Sequence, residues 1–428
     1  MLNISIGSLQ RQKLIHMKPN NVLLALFVLS TTIAFSQKNI QKDTIIAELD
    51  NPYTAEWGNG FKFENADKSI KLKFGGRIMF DSGFFSLDDE ALDNGYELLN
   101  KSGHEIRRGR IFTSGTLYSN IDFKLQIEFA GNKVTIKDAF ITIKNIPYVG
   151  NFIIGRFIEP FRLEAITSSK YITFMERGLP ISFFPDRNTG AMIFNQTKNK
   201  RLSWQIGLFR GVTNQDLTHT DSGGDYGITT RIAGSVIDNE NLVVHLGAAH
   251  SFKKPQEFKS IHFSVKPESH LARKYINVYL DDVKYVNLYN LETALVSGSF
   301  SFQGEYVLAK VKTITETQNF NSYYTQISYF LTGEKRNYQN PLTGFGRVKP
   351  KSNFGKDGIG AFEVALRYSY IDGLNNDKMS NITAGVNWYL NPATRVMANY
   401  IVSNINNETQ YTGEGQFSGF QVRFQIDF

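Results

Sequence analysis

The chain ends on FSGFQVRFQIDF, residues 417–428. From Phe420 every second residue is apolar, through Val422, Phe424 and Ile426 to Phe428. The residues between them are Gln421, Arg423, Gln425 and Asp427. A period of two puts the apolar groups on one face of a strand and the polar groups on the other. Similar strands recur along the whole chain. Near 70–82, Ile70, Leu72, Phe74, Ile78 and Phe80 share one face and Lys71, Lys73, Arg77 and Asp81 the other. Near 121–131, Phe123, Leu125, Ile127 and Phe129 alternate with Lys124, Gln126 and Glu128. A chain made of such strands and ending on one predicts an all-β, antiparallel transmembrane β-barrel, with lipid outside and water inside.

Counting them predicts sixteen strands. They fall near 70–82, 106–119, 121–131, 134–144, 151–158, 187–196, 201–211 and 225–235. The rest fall near 241–252, 285–297, 300–312, 319–331, 358–371, 380–390, 393–404 and 416–428. The count is even, as bacterial barrels require. The terminal Phe resembles the closing strand that outer-membrane assembly machinery recognises. Three long connections interrupt the strands, at 159–186, 253–284 and 332–357. Alternating strand direction puts the first two outside and the third on the periplasmic side, where turns are normally short. Sixteen strands close a barrel too wide for its own wall side chains to fill. The long connections are therefore expected to narrow the bore.

Ahead of the barrel, Arg11, Lys13 and Lys18 precede the apolar run Val22 to Leu29, and Ala34-Phe35-Ser36 offers small residues for cleavage before Gln37. Residues 1–36 read as an export signal, for which Met17 is an alternative start. Residues 37–68 read as a polar, irregular periplasmic lead-in and 69–428 as the barrel. The apolar run is shorter than the ~20 residues a helix needs to span a bilayer. No cysteine is present, which excludes disulfides, thiolate metal ligands and thiol nucleophiles. The net charge of +7 comes without a basic cluster, so nucleic-acid binding is not expected. The histidines show no metal-ligand spacing, no phosphate-cradling glycine loop is present, and no cofactor or metal is expected. Trp388, Tyr389 and Tyr400 sit near a strand end and read as interfacial anchors.

From residue 106 the chain resembles the phosphate-selective porin O/P family. The resemblance is carried by IRRGRIF (106–112), GRFIEPFRLEAITSSKYITFMER (155–177), DRNTGAMIFN (186–195) and SFSFQGEYVLAKV (299–311). YFLTGEKRNY (329–338), GAFEVALRYS (360–369) and GVNWYLNPATRVMANY (385–400) complete it. It implies a sixteen-stranded, homotrimeric channel in the outer-membrane lipid that passes phosphate or other small anions. Family members fold an extracellular loop and a periplasmic turn into the bore, roles that suit 159–186 and 332–357.

Parity assigns the lumen wall. Its basic residues are Lys71, Lys73, Arg77, Arg108, Arg110, Lys124, Arg231, Arg367, Arg395 and Arg423. Its acids are Asp81, Glu128, Asp138, Glu305, Glu363 and Asp427. The excess of cations predicts a field that concentrates anions. The resemblance further implies an anion-binding constriction at Arg107, Arg108, Asp138, Ser168, Ser169 and Lys170. One departure stands against phosphate specificity. The loop 155–177 carries Arg156, Arg162, Lys170 and Arg177 but also Glu159, Glu164 and Glu176, and Ala165 occupies a position where a lysine is expected. A general anion or nutrient pore is the alternative. From a different class, so is a barrel lipase using Ser168 or Ser169, or an adhesin.

Overall fold

The computed structural model describes residues 53–428 apart from 59, 132, 184–185, 211–224, 256–258, 356–357, 374 and 376. The proposed export signal lies outside these residues. An N-terminal hairpin, β1 (Tyr53–Trp57) and β2 (Phe61–Asn65), leads into β3 (Lys71–Leu87), β4 (Ser102–Leu117), β5 (Ile121–Glu128), β6 (Thr135–Ile146) and β7 (Gly150–Ile158). Next come β8 (Arg187–Gln196), β9 (Leu202–Arg210), β10 (Tyr226–Asp238), β11 (Leu242–Lys254), β12 (Lys259–Val265) and β13 (Ile276–Ser297). After β14 (Phe300–Thr313) and β15 (Thr317–Phe330) come two short pieces, β16 (Tyr338–Asn340) and β17 (Gly344–Phe345). The chain ends with β18 (Ala361–Asp372), β19 (Lys378–Asn391), β20 (Thr394–Asn406) and β21 (Glu414–Asp427).

Sixteen of these strands close a barrel, because β21 pairs antiparallel with β3 from Phe417↔Leu87 to Asp427↔Arg77. Closure leaves the barrel no unpaired sheet edge, which is what lets strands cross lipid. At the seam, Gly76 N donates to Phe428 O at 2.6 Å and Phe428 N returns a bond to Gly76 O at 3.1 Å. A Cβ on Gly76 would stand 2.7 Å from the Phe428 ring, so the seam needs glycine there.

Burial runs opposite to that of a soluble protein. In β21, Gln421, Arg423, Gln425 and Asp427 are buried, while Phe420, Phe424 and Ile426 are exposed. Apolar exteriors and buried polar interiors are stable only with lipid outside. No described helix is long and apolar enough to cross a membrane, so the crossing is made by strands.

Three local expectations change. The described part of the lead-in is not irregular. Phe61 and Phe63 alternate with Lys62 and Glu64, and β2 adds to the lower end of β3 through Phe61↔Phe74. The connection 253–284 is largely strand, because β12 folds back on the upper part of β13, pairing Ile261↔Leu280 through Val265↔Ile276. Trp388 and Tyr389 face opposite ways: Tyr389 is buried inside the barrel, where its hydroxyl donates to Glu363 at 2.8 Å, so it is no interfacial anchor. Tyr400 is exposed on the lipid side.

Candidate functional site

The loop between β7 and β8 folds into the bore, and the residues that hold it there are the wall's own polar groups. Arg395 donates to the Ile172 carbonyl at 2.9 Å, Asn387 to Thr173 at 2.9 Å, Arg423 to Met175 at 2.5 Å and Arg367 to Glu176 at 3.0 Å. Three loop acids complete the attachment. Glu159 accepts from Lys253 at 2.5 and 2.6 Å, Glu164 pairs with Arg162, and Glu176 takes Arg107 at 2.6 and 2.9 Å and Arg423 at 3.0 Å. Arg162 also reaches Glu305 at 2.7 Å. Each of these carboxylates thus has a cation against it, as burial of charge demands.

The periplasmic connection rises to meet this loop from below. Arg347 binds Asp427 and the Pro392 carbonyl, and Phe345 N donates to Thr167 Oγ1 at 3.3 Å. Arg231 donates to Pro341 O at 2.8 Å while held by Glu292 at 2.5 Å. A third inward element comes from the segment between β12 and β13. Glu268 accepts from Arg367 Nε at 3.0 Å, from Thr383 at 2.7 Å and from Ser369. Beside it, Ser269 donates to Gln421 at 2.7 Å. Sequence reading placed this segment outside and missed Glu268. Glu268 sits in the irregular segment between β12 and β13, where alternation assigns no side.

These elements cover the β10–β21 side of the bore and leave a path along β3–β8. It begins in an outer vestibule of about 510 Å³ that includes Arg107, Arg108, Lys137, Arg177, Lys266 and Lys274. It narrows to a cavity of about 370 Å³ between the wall and loop residues Thr167, Ser168 and Ser169. It opens below into a vestibule of about 610 Å³ that includes Lys62, Lys71 and Lys73. Arg108, Arg110, Arg177 and Arg187 border both the outer vestibule and the narrow cavity. Lys124, Phe140, Phe194 and Leu342 border both the narrow cavity and the lower vestibule.

Among the described residues, the narrow cavity brings together six cations, Arg77, Arg108, Arg110, Lys124, Arg177 and Arg187, with Asp138 as the one carboxylate on its lining. Both Asp138 oxygens are occupied, by Arg187 Nε at 2.7 Å and by Lys124 Nζ at 2.7 Å. Arg110 is held by Glu128 at 2.5 Å. Among the described residues the other three bond no carboxylate. Arg77 donates to Ser169 Oγ at 2.7 Å. Arg177 donates only to the carbonyls of Glu164, Ala165 and Thr167. Arg108, half-buried, has an Nε with no partner among the described residues. A β-bulge makes Arg107 and Arg108 neighbours on the inner side: Met79 pairs Arg108, the next residue Phe80 pairs Ile106, and Arg107 is the extra residue. Strict alternation would have sent one of the two into lipid.

The expected constriction residues therefore separate. Arg108, Asp138, Ser168 and Ser169 share the narrow cavity. Arg107 stands above it in its ion pair with Glu176. Lys170 lies to one side, 3.2 Å from Asp427. Burial and the nearby Arg77, Arg347, Lys73 and Lys124 push Lys170 down to about 6. Of the expected basic wall, Lys71, Lys73, Arg77, Arg108, Arg110 and Lys124 border the path. Arg231, Arg367, Arg395 and Arg423 face inward but are spent on tethers. Sequence reading missed Arg177, which lies in the loop where parity assigns no direction, and Arg187, the first residue of β8. No histidine bonds Ser168 or Ser169 among the described residues. Ser169 Oγ accepts from Arg77.

A closed sixteen-stranded barrel with an apolar exterior and a charged, loop-narrowed bore defines an outer-membrane porin. The chain belongs to the family described as phosphate-selective porin O and P, whose pattern matches residues 79–428. It is 25% identical over 415 residues to Porin O of Pseudomonas aeruginosa, covering 86% of this chain and 91% of that one. It is 28% identical over 337 residues to an uncharacterised Caulobacter vibrioides protein, covering 75% and 65%. Among solved structures it resembles the anion-selective porin from Comamonas acidovorans, with a TM-score of 0.53 and 15% identity over 84% of this chain and all of that one. It also resembles Pseudomonas putida OprB, with a TM-score of 0.52 and 8% identity over 83% and 94%. The family's residence, and this chain's, is the bacterial outer membrane.

Proposed function

We propose that the protein is an anion-selective diffusion channel whose selectivity is set at the narrow cavity under the inward loop. The observation that carries this reading is the set of six cations against one already paired carboxylate. Low-dielectric walls focus that field onto passing ions, and three arginines lacking carboxylate partners offer planar donors to an oxyanion. The charge balance along the loop, four positive against three negative, is not the field an ion meets. Glu159 and Glu176 are turned into the wall and neutralised there, and Glu164 is neutralised by Arg162 of the loop and Arg367 of the wall. Phosphate or a related oxyanion is the proposed preferred ion, and a homotrimer the proposed assembly.

The test is the reversal potential of reconstituted channels in a potassium chloride gradient. Potassium permeability equal to or above that of chloride would defeat the proposal. A second reading, a general anion pore without phosphate preference, is favoured by one observation: both Asp138 oxygens are already engaged by cations, which weakens them as acceptors for a protonated phosphate. Block of chloride current by micromolar phosphate would decide against it.

A further inference from the structure

The wall facing the cations in the narrow cavity is apolar. Phe140 on β6, Ile153 and Phe157 on β7, and Met192 and Phe194 on β8 all line it. They face the lumen, since the alternate residues Ile141 and Ile154 are the ones exposed toward lipid. Phe140 packs edge-on against Phe157 at 6.2 Å, and Phe157 against Phe209 at 5.5 Å. Phe140 and Phe194 are half-buried and continue along the path into the lower vestibule. The loop closes the cavity at Ser168 and Ser169, leaving Phe140 and Phe194 open to the bore with Ile153, Phe157 and Met192 buried behind them.

An inorganic anion gains nothing from such a wall. Its hydration shell is better served by hydroxyls and amides, which cover much of the rest of the interior. The cavity's 370 Å³ falls within the range of small-molecule sites and holds on the order of ten waters, more than a bare oxyanion fills. We propose that the preferred cargo is an oxyanion carrying an apolar group of about ring size. Its charged head would lie on Arg77 and Arg108, and its apolar body along Phe140 and Phe194. The proposal rests on the anion-channel reading and names the substrate class for the same cavity.

The test uses the full-length barrel in planar bilayers. Block of the chloride current is compared for inorganic phosphate, methyl phosphate and phenyl phosphate. Burying much of a phenyl ring corresponds to about a tenfold gain in affinity. Phenyl phosphate is therefore expected to half-block at about one tenth of the methyl phosphate concentration. In Phe140→Ser/Phe194→Ser the two esters should block alike. Equal block by the two esters in an anion-selective wild type overturns this inference alone, as does an advantage that survives in the variant. A wild type that prefers cations overturns the channel reading with it. Should the variant not give a heat-modifiable barrel, the ester series on the wild type decides.

Discussion

Replacing Arg108 with alanine removes a charge that no carboxylate balances, at the point where the outer vestibule meets the narrow cavity. An anion passing ~5 Å from the guanidinium gains about 0.8 kcal/mol if the path behaves as bulk water, and about 3 kcal/mol at an effective dielectric near 20. These correspond to about a fourfold and a few hundredfold change in anion occupancy. The cavity is open to water at both ends, so the lower end applies. Arg108→Ala should cut the chloride-over-potassium permeability ratio about fourfold, and Arg108→Glu should cut it by about the square of that factor. Recording belongs at 0.1 M salt, where the screening length is about 10 Å, rather than at 1 M, where it is about 3 Å. The control is the neutral exchange Arg231→Gln/Glu292→Gln, which removes a buried pair beneath the periplasmic connection. It should leave the ratio unchanged. If Arg108→Ala left the ratio intact while the control lowered it, the path would run along the other wall.

Glu176→Gln should free Arg107 and loosen the loop, giving noisier single-channel currents with anion preference equal or higher; a fall in preference would contradict the tether role. Arg423→Ala strips the buried carboxylate of Asp81 of its bidentate partner at 2.6 and 2.7 Å and should cost about 3–5 kcal/mol, read as a lower unfolding midpoint in urea. Lys170, pushed down to about 6, is neutral at pH 7.5 and charged at pH 5. Acidification should therefore raise anion preference, and Lys170→Met should remove that part of the rise. Deleting Phe428 takes away both seam bonds to Gly76 and should reduce the yield of assembled barrel without altering the conductance of those that form. Normal assembly of the deletion would mean the seam is held elsewhere.

The barrel was legible in the sequence because a period of two is a local property. FQVRFQIDF states its two faces without reference to any other residue, and a charge cannot turn toward lipid. All sixteen strands therefore fell near their observed places. Their closure followed from the last strand needing a partner. The two inward connections stood out by length. What the linear pattern could not express is which inward charges remain available to an ion. Arg108 and Arg423 look alike in alternation, yet one has an Nε with no partner among the described residues and the other is bound to Asp81, 342 positions away, and to the loop.

That difference is made by the path of the 159–186 loop and by the connections that brace it. Coulomb energies in a low-dielectric interior depend on contacts of a few ångströms, not on sequence spacing. The bulge at Arg107 is likewise a matter of register between two strands. The apolar wall left a faint mark, in NFII and AMIF, where both faces of a strand are apolar. Only the closed barrel shows that one of those faces looks into the bore. The closing strand, the strand count and the sign of the wall belong to the sequence alone. The free arginines, the neutralised loop acids and the apolar face opposite them were decided by the tertiary structure, because they exist only where distant segments meet.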